Sequence, residues 1–331
     1  MSSEESTVLG FPEYPKFQRN QPRFPQETFL GRYLHYLDVV DPRTLLTSDS
    51  RLKECVELLK AYDAGQKNVA SDRELWEAQK IKGAILHPDT GEKVLPPFRM
   101  SGYVPFGWIT VTGMLLPNPS WPTLLFWQWI NQSHNACVNY ANRNASQPQP
   151  ISKFVGAYLA AVTSACSIAG GLTYMIKKAG SLPPATRLII QRFVPLPATS
   201  LASTLNVLCM RGSEMQTGIE VYDREGTVIG VSKVAAKQAV TDTALTRAFL
   251  PVPLLALPPC IMPFFEKFRW VQKSATRHLL VNAIVCTISF GISLPIALAL
   301  FPQESTISVN QLEPEFREKT RATELYYNKG L

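Results

Sequence analysis

Acidic residues are missing from a long central part of this 331-residue sequence. No Asp or Glu occurs between Glu92 and Glu214, although the same interval contains several Lys and Arg residues. The surface of a soluble domain normally mixes charges of both signs. The absence therefore argues against an ordinary soluble domain in the central region.

Paired cysteines, catalytic signatures and a leader segment are also missing. The six cysteines occur singly, without a CxxC pair, and five of them lie in apolar segments, which indicates neither a disulfide framework nor a zinc site. The four histidines are dispersed, and the sequence contains no P-loop and no GxSxG. The start, MSSEEST, resembles neither a signal peptide nor an Arg-rich presequence, so any targeting information is internal. We therefore predict no enzyme, no metal and no cofactor.

The formal net charge of +7 comes from basic residues in short connectors between apolar runs, and not from one face of a helix. Nucleic-acid-binding proteins usually gather basic residues on one surface. Lys and Arg beside apolar spans instead favour anionic lipid headgroups and bias membrane topology. The lipid bilayer is therefore the predicted partner, nucleic acid is not, and protein partners stay unknown.

Five uncharged segments are candidates for membrane spans. Residues 154–176 and 279–301 are 23 residues each without a charge, whereas 103–121, 193–210 and 248–265 are shorter and interrupted by proline or glycine. At 1.5 Å per residue, a helix of about 20 residues crosses a hydrocarbon core of about 30 Å. The sequence predicts an all-α, polytopic helical membrane protein with about five transmembrane helices.

The remaining segments divide the chain further. Ser71 and Glu74 form a capping box at the start of one of two amphipathic helices before the spans. The stretch GIEVYDREGTVIGVS predicts a short β-hairpin, followed by a helix from about Ser232 to Arg247. The predicted domains are a flexible arm at 1–25, a helical module at 26–98, a transmembrane domain at 99–302 with a hairpin-helix loop at 211–247, and a polar tail at 303–331.

Charge in the connectors suggests an orientation. Residues 177–192 and 266–278 contain eight Lys and Arg in 29 positions, whereas 122–153 and 211–247 contain seven in 69. The positive-inside bias, applied to five spans, places the amino-terminal module on the inner side with the first pair of loops.

An amide stripe is the most unusual feature of the chain. Gln128, Asn131, Asn135, Asn139 and Asn142 recur at spacings of three and four residues, so a helix aligns them on one face. Amides donate and accept hydrogen bonds, and the stripe can solvate the ammonium and carboxylate of a small zwitterion. The same residues can instead join helices or face water, and both interpretations stay open.

Segment 248–265 contains five prolines, which remove backbone donors and would be costly against lipid. One interpretation is a kinked packing helix. The other is an unwound span, because interrupted spans often form the binding sites of transporters.

A second motif interrupts the amino-terminal module. It comprises His87, Pro88, Asp89, Thr90, Gly91 and Glu92. Pro followed by Asp-Thr-Gly favours a tight turn, in which the Asp side chain bonds neighbouring amides. Direct ligand binding is the alternative interpretation.

Several of these stretches together resemble the sideroflexin family. The matching segments are TFLGRYLHYLDVVDPRTLL from Thr28, HPDTGE from His87, PFRMS from Pro97, FWQWINQSHNACVNYANRN from Phe126, RFVP from Arg192, LFPQ from Leu300, QLEPE from Gln311 and the terminal YNKGL. They cover nearly the whole chain. Details such as MSGYVPFG look closer to the fifth vertebrate branch of the family than to the first three.

The resemblance implies a multi-pass carrier of the mitochondrial inner membrane that moves small amino acids such as serine for one-carbon metabolism. Together with the charge bias of the loops, this places the amino terminus on the matrix side. Citrate is an alternative substrate, and it would require basic residues along the pathway. The candidate anion contacts are Arg99, Arg143, Arg187 and Arg192. A membrane scaffold or assembly factor, linked to iron or respiratory complexes, is the third interpretation.

Overall fold

The computed structural model describes residues 7–66, 70–87, 90–116, 119–142, 150–178, 183–224, 226–300, 302 and 304–329. Most of these residues are helical, and the predicted helical membrane fold is confirmed. The α-helices are α1 (Phe29–Val39), α2 (Asp49–Asp63), α3 (Asp72–Ile85), α4 (Tyr103–Met114), α5 (Trp121–Ala141), α6 (Ile151–Lys178), α7 (Pro184–Phe193), α8 (Pro195–Arg211), α9 (Glu214–Thr217), α10 (Lys233–Phe249), α11 (Pro251–Phe265), α12 (Arg269–Gln272), α13 (Ala275–Ala299) and α14 (Phe316–Lys319). The strands are β1 (Thr7–Val8), β2 (Phe11–Pro12), β3 (Ile219–Tyr222), β4 (Val228–Ser232), β5 (Glu304–Ser308) and β6 (Glu324–Asn328).

The chain forms two compact units. The first comprises Met1–Ile109, His134–Pro148 and Phe290–Leu300, and the second comprises Thr110–Ser133, Gln149–Ser289 and Phe301–Leu331.

Helices α2 and α3 form the core of the amino-terminal part of the first unit. The predicted capping box is present, with Ser71 and Glu74 satisfying each other's backbone amides. The segment predicted as a flexible arm packs against these helices at Phe17, which is buried and whose N–H donates to Asp72 at 2.9 Å. The indole of Trp76 donates to the carbonyl of Pro15 at 2.7 Å. Buried aromatic contacts therefore order a proline-rich segment that lacks periodicity.

Four helical stretches among the described residues are long and apolar enough to cross a membrane, where the sequence predicts about five. They are Phe154–Lys178, Ile189–Arg211, Lys233–Phe265 and Ala275–Ala299. The stretch Lys233–Phe265 joins α10 and α11, so the hairpin's helix and the following span are nearly continuous.

The predicted span 103–121 is not one continuous helix. Helix α4 has 12 residues, which is about 18 Å at 1.5 Å per residue. It ends at Met114, and α5 begins at Trp121 after a stretch that includes Pro119, whose ring disfavours helix at the residue before it. The orientation predicted from five crossings remains a prediction.

Helix α11 stays helical through its prolines. Pro258, Pro259 and Pro263 lie inside the helix, and the first two are buried. A proline removes the backbone hydrogen bond to the residue four positions earlier. The described structure therefore has a packed helix with missing bonds, and not an unwound span.

Small residues bring α6 and α8 together in the second unit. Ala161 and Ala165 pack against Ala202, and Ala169 packs against Ala198. Each of these alanines is 3% exposed or less. Close backbone approach at small residues is the usual way for membrane helices to associate.

The predicted hairpin forms, with β3 antiparallel to β4. It belongs to a four-stranded sheet in the order β4-β3-β6-β5, in which both further strands come from the segment predicted as a polar tail. Phe316, Leu325 and Tyr327 are fully buried beneath this sheet. The carboxylate of Glu313 also accepts hydrogen bonds from the first amides of α10, at 2.7 Å and 3.1 Å. The tail is therefore a folded part of the second unit.

Candidate functional site

A cavity of about 140 Å³ lies in the second unit. It is bounded by the end of α4, the first turn of α5, the end of α6 and the junction between α7 and α8. The lining residues are Met114, Leu115, Leu116, Pro119, Leu124, Thr173, Lys177, Gln191, Arg192 and Pro195.

Polar groups converge on this otherwise apolar cavity. Thr173 is 5% exposed, and Oε1 of Gln191 is buried without a hydrogen-bond partner among the described residues. Lys177 lies with its ammonium 5.5 Å from the centre of the Trp121 ring, a cation–π contact. An apolar cavity with a few convergent polar groups is the usual form of a small-molecule site.

An ion cluster borders the cavity. Arg192 Nη2 donates to both carboxylate oxygens of Glu266, at 2.7 Å and 3.0 Å. Nε2 of His278 lies 2.9 Å from Oε1 of the same carboxylate. Burial alone would raise the pKa of Glu266, but the hydrogen bonds from His278 and Arg192 bring it below its ordinary value. Glu266 is therefore ionised at neutral pH.

The ion cluster also borders a second, much smaller space of about 10 Å³. Its walls include Pro258 and Pro259 of α11 and Asn282 of α13, and it shares Leu115 and Arg192 with the larger cavity. That volume is about enough for one water molecule. Arg192 thus stands in the wall of both spaces.

The buried face of α13 carries a polar series that the sequence analysis missed. His278, Asn282, Cys286 and Ser289 follow one another at four, four and three residues. The last three are buried, and the Cys286 thiol lies 3.7 Å from Oδ1 of Asn282. Helical spacing of small polar residues within the last span was the available signal.

The amide stripe begins in the second unit with two buried residues. Gln128 is fully buried, and neither atom of its amide has a partner among the described residues. Asn131 accepts a hydrogen bond from the Thr110 hydroxyl at 3.3 Å, while its Nδ2 has no partner in the same part of the chain. Gln132, which the sequence analysis did not select, has an equally unpartnered Nε2. A buried amide group without a hydrogen-bond partner costs about 1–3 kcal/mol. A water molecule or a ligand that bonds to it would remove this cost.

The rest of the stripe lies in the first unit. Oδ1 of Asn135 accepts from the Tyr103 hydroxyl at 2.6 Å, and Asn142 donates to the carbonyl of Phe98 at 2.9 Å. Asn139 is exposed. Asn135 and Asn142 therefore join local segments, as the helix-joining interpretation expects.

The HPDTGE motif is closed by backbone bonds at its ends. The N–H of His87 donates to the carbonyl of Glu92 at 2.8 Å, and the N–H of Gly91 donates to the carbonyl of His87 at 2.9 Å. Gly91 has a φ of +70°, which glycine adopts most readily. Thr90 donates its N–H to Nδ1 of His87 at 3.3 Å. Pro88 and Asp89 lie outside the described residues.

The four candidate anion contacts have different positions. Arg99 is buried and donates to the carbonyl of Val94 at 2.7 Å, so a backbone acceptor already holds it. Arg192 lines the cavity. Arg143 lies outside the described residues, and so does the side chain of Arg187, whose backbone belongs to α7.

The four crossing stretches and the polar groups between them define a multi-pass helical membrane protein. The family model of the sideroflexins matches residues 18–331. Sideroflexin-5 of Caenorhabditis elegans is 73% identical over 328 residues, covering 99% of each chain. Sideroflexin-5 of Homo sapiens is 52% identical over 318 residues, covering 96% of this chain and 94% of that protein. The sideroflexin of Dictyostelium discoideum is 40% identical over 324 residues, covering 96% and 98%.

This chain therefore belongs to the sideroflexin family, as its sequence motifs predict. The likeness to the fifth branch is confirmed by the two relatives named sideroflexin-5. No solved structure matches the chain.

Proposed function

We propose that this protein is a transporter of the mitochondrial inner membrane that carries small neutral amino acids, with serine as the substrate and one-carbon metabolism as its purpose. The observation that carries the proposal is the cavity of about 140 Å³ with Lys177, Arg192, Thr173 and Gln191 in its wall.

Size supports a small substrate. A protein cavity of about 150 Å³ accommodates benzene, and serine is a molecule of similar size. Citrate is considerably larger and would require the cavity to expand. Volume therefore favours serine over a tricarboxylate.

Charge supports a zwitterion. Lys177 provides a cation for the substrate carboxylate, and Thr173 and the unpartnered Oε1 of Gln191 provide acceptors for its ammonium. The charge of Arg192 is largely balanced by Glu266 at 2.7 Å. A tricarboxylate would need more uncompensated positive charge than this wall offers.

Uptake into liposomes tests the proposal. The purified full-length protein is reconstituted and given labelled serine and labelled citrate in parallel. We expect serine to accumulate and citrate to remain outside. Uptake of citrate alone would replace the substrate class, and uptake of neither would remove the transport function and favour the scaffold interpretation.

Lys177→Gln provides the matched test of the cavity. A hydrogen bond to a charged group contributes about 1.5–3 kcal/mol, so we expect the KM for serine to rise roughly ten-fold to a hundred-fold. Lys178→Gln is the control, because Lys178 also lies over an aromatic ring, that of Tyr174 at 5.8 Å, but does not line the cavity. Equal effects of the two substitutions would show that the cavity is not the binding site.

A further inference from the structure

Three membrane segments meet at one carboxylate. Glu266 follows the last residue of α11, Arg192 lies near the start of the stretch Ile189–Arg211, and His278 lies in the first turn of α13. Both Arg192 and His278 bond to Glu266 within 3.0 Å. The three side chains are between one fifth and one third exposed, so water reaches them in part.

The cluster is adjacent to the cavity because Arg192 belongs to both. The guanidinium that lines the cavity is held by Glu266, and the smaller space beside it is walled by Pro258, Pro259 and Asn282. A carboxylate entering the cavity would meet a guanidinium whose Nη2 already donates to both oxygens of Glu266. To take over the Nη2 contact and the positive charge of Arg192, the entering carboxylate must displace Glu266.

We propose that Arg192, Glu266 and His278 form a gate at this end of the cavity, and that Arg192 exchanges the Glu266 carboxylate for the substrate carboxylate when the gate opens. The proposal rests on the proposed function, since it assumes a substrate with a carboxylate.

Replacing one carboxylate by another keeps the free-energy cost of opening the gate low. Separating the pair without a replacement would leave a partly buried guanidinium without its anion, which is costly. A substrate carboxylate offers the same acceptor geometry, so the guanidinium stays paired throughout. Only a ligand with a carboxylate would then open the gate readily, and this couples opening to substrate selection.

The end of α11 is suited to the required movement. Pro258, Pro259 and Pro263 remove backbone bonds within the two turns that precede Glu266. Helices bend most easily where such bonds are missing. A displacement of this last turn would carry Glu266 away from Arg192 and His278 together.

Another ion pair of the same span provides the control. Arg211 and Glu214 approach to 2.7 Å and are about as exposed as Arg192 and Glu266. Glu214 lies only three residues from its partner. Neutralising Glu214 therefore makes the same chemical change without separating two spans.

Thiol accessibility tests the gate without requiring transport. Leu115→Cys places a thiol in the wall shared by both spaces, where the native side chain is 7% exposed. The variant, made in a full-length chain whose six native cysteines are replaced, is reconstituted in liposomes and treated with a water-soluble maleimide. We expect slow labelling of Leu115→Cys itself and no change in rate after Glu214→Gln. After Glu266→Gln we expect labelling to be roughly ten-fold faster, which corresponds to a loss of about 1.4 kcal/mol in the free energy that keeps the gate closed.

Each outcome bears on the proposal. Glu266→Asp keeps the carboxylate and should label at close to the slow rate, which separates loss of charge from misfolding. Equal labelling of the parent and Glu266→Gln would overturn the gate even if serine is transported. Fast labelling after both Glu266→Gln and Glu214→Gln would also overturn it, because it would indicate general loosening. Fast labelling after Glu266→Gln alone, without serine uptake by the parent, would support the gate and reject serine as the substrate.

Discussion

Two ion clusters in this protein use similar groups but differ in how the charges are shared. In the amino-terminal module, Lys80 bonds both Asp38 and Asp41, while Arg23 pairs with Asp38 and Arg43 pairs with Asp41. Each carboxylate there has two cations. In the membrane cluster, one carboxylate serves both Arg192 and His278.

The difference in sharing has a physical consequence. In the first cluster, loss of any one contact leaves Lys80 and both carboxylates with another partner, as expected of a network that holds packed helices together. In the second, loss of Glu266 leaves both remaining groups without their anion. A cluster with one shared carboxylate can therefore switch, whereas the network resists opening.

The largest effect is expected where a carboxylate of the network is most buried. Asp41 is 8% exposed and accepts from the Arg43 amide, the Arg43 guanidinium and Lys80. Breaking a buried ion pair typically costs 3–5 kcal/mol. We expect Asp41→Ala to destabilise the module by about 3 kcal/mol. This value is at the low end of the range because Arg43, one of the two partners, is largely exposed. Hydrogen exchange of the α3 amides in the full-length protein measures this. Unchanged protection would mean that the network is dispensable.

Acid should weaken the same network in a defined range. Burial alone would raise the pKa of Asp41, but hydrogen bonds from Arg43 and Lys80 hold it well below its ordinary value of 3.8. A carboxyl whose pKa is lowered by folding stabilises the fold above its unfolded pKa, and this contribution disappears as pH falls toward the folded value. Protection of α3 should therefore stay level from about pH 7 to pH 5 and decline below about pH 4. Asp41→Asn should abolish that decline.

A smaller effect is expected from the histidine of the membrane cluster. His278→Gln removes one hydrogen bond to Glu266 but leaves the contact with Arg192. Since a single hydrogen bond contributes about 1 kcal/mol, labelling of Leu115→Cys should accelerate only about five-fold, less than after Glu266→Gln. If His278→Gln had a larger effect than Glu266→Gln, Glu266 would not be the group that holds the cluster together.

The smallest effect is expected at an exposed helical pair that belongs to neither cluster. Arg73 and Glu77 are 3.1 Å apart at i and i+4 on α3, with most of the Arg73 side chain exposed. Such pairs are screened by solvent and contribute little. Arg73→Ala should leave α3 protection unchanged, and a loss comparable with that of Asp41→Ala would mean that the network does not explain the module's stability.

Local sequence signals predicted those elements that depend on neighbouring residues. The capping box at Ser71, the hairpin before Ser232 and the long apolar stretches follow from propensity and periodicity within a few turns. The segment 103–121 is divided between two helices, which the sequence did not reveal because uncharged length does not show where a helix breaks. Helix α4 ends at Met114, in a stretch that the sequence analysis describes as interrupted by proline or glycine.

The candidate site was predicted only in part. Gln128 and Asn131, selected as substrate-pathway candidates, are buried with unmet hydrogen-bonding capacity, and Arg192, selected as an anion contact, lines the cavity. Their part in transport stays a prediction. Glu266 and Lys177 were not selected, because a charge at the end of a span has the same appearance whether it faces water or a cavity. The pair Arg192 and Glu266 is separated by 74 positions, which no local pattern relates.

The sequence by itself determined that the chain crosses a membrane, since the length and apolarity of a span are properties of consecutive residues. It also determined the family, since that depends on motifs. Tertiary structure alone decided that the terminal tail completes a sheet with an internal hairpin, and that one carboxylate holds two partners from distant segments. Pairing between strands and between ions depends on positions in space, and chain folding brings these together across separations at which the sequence carries no periodic signal.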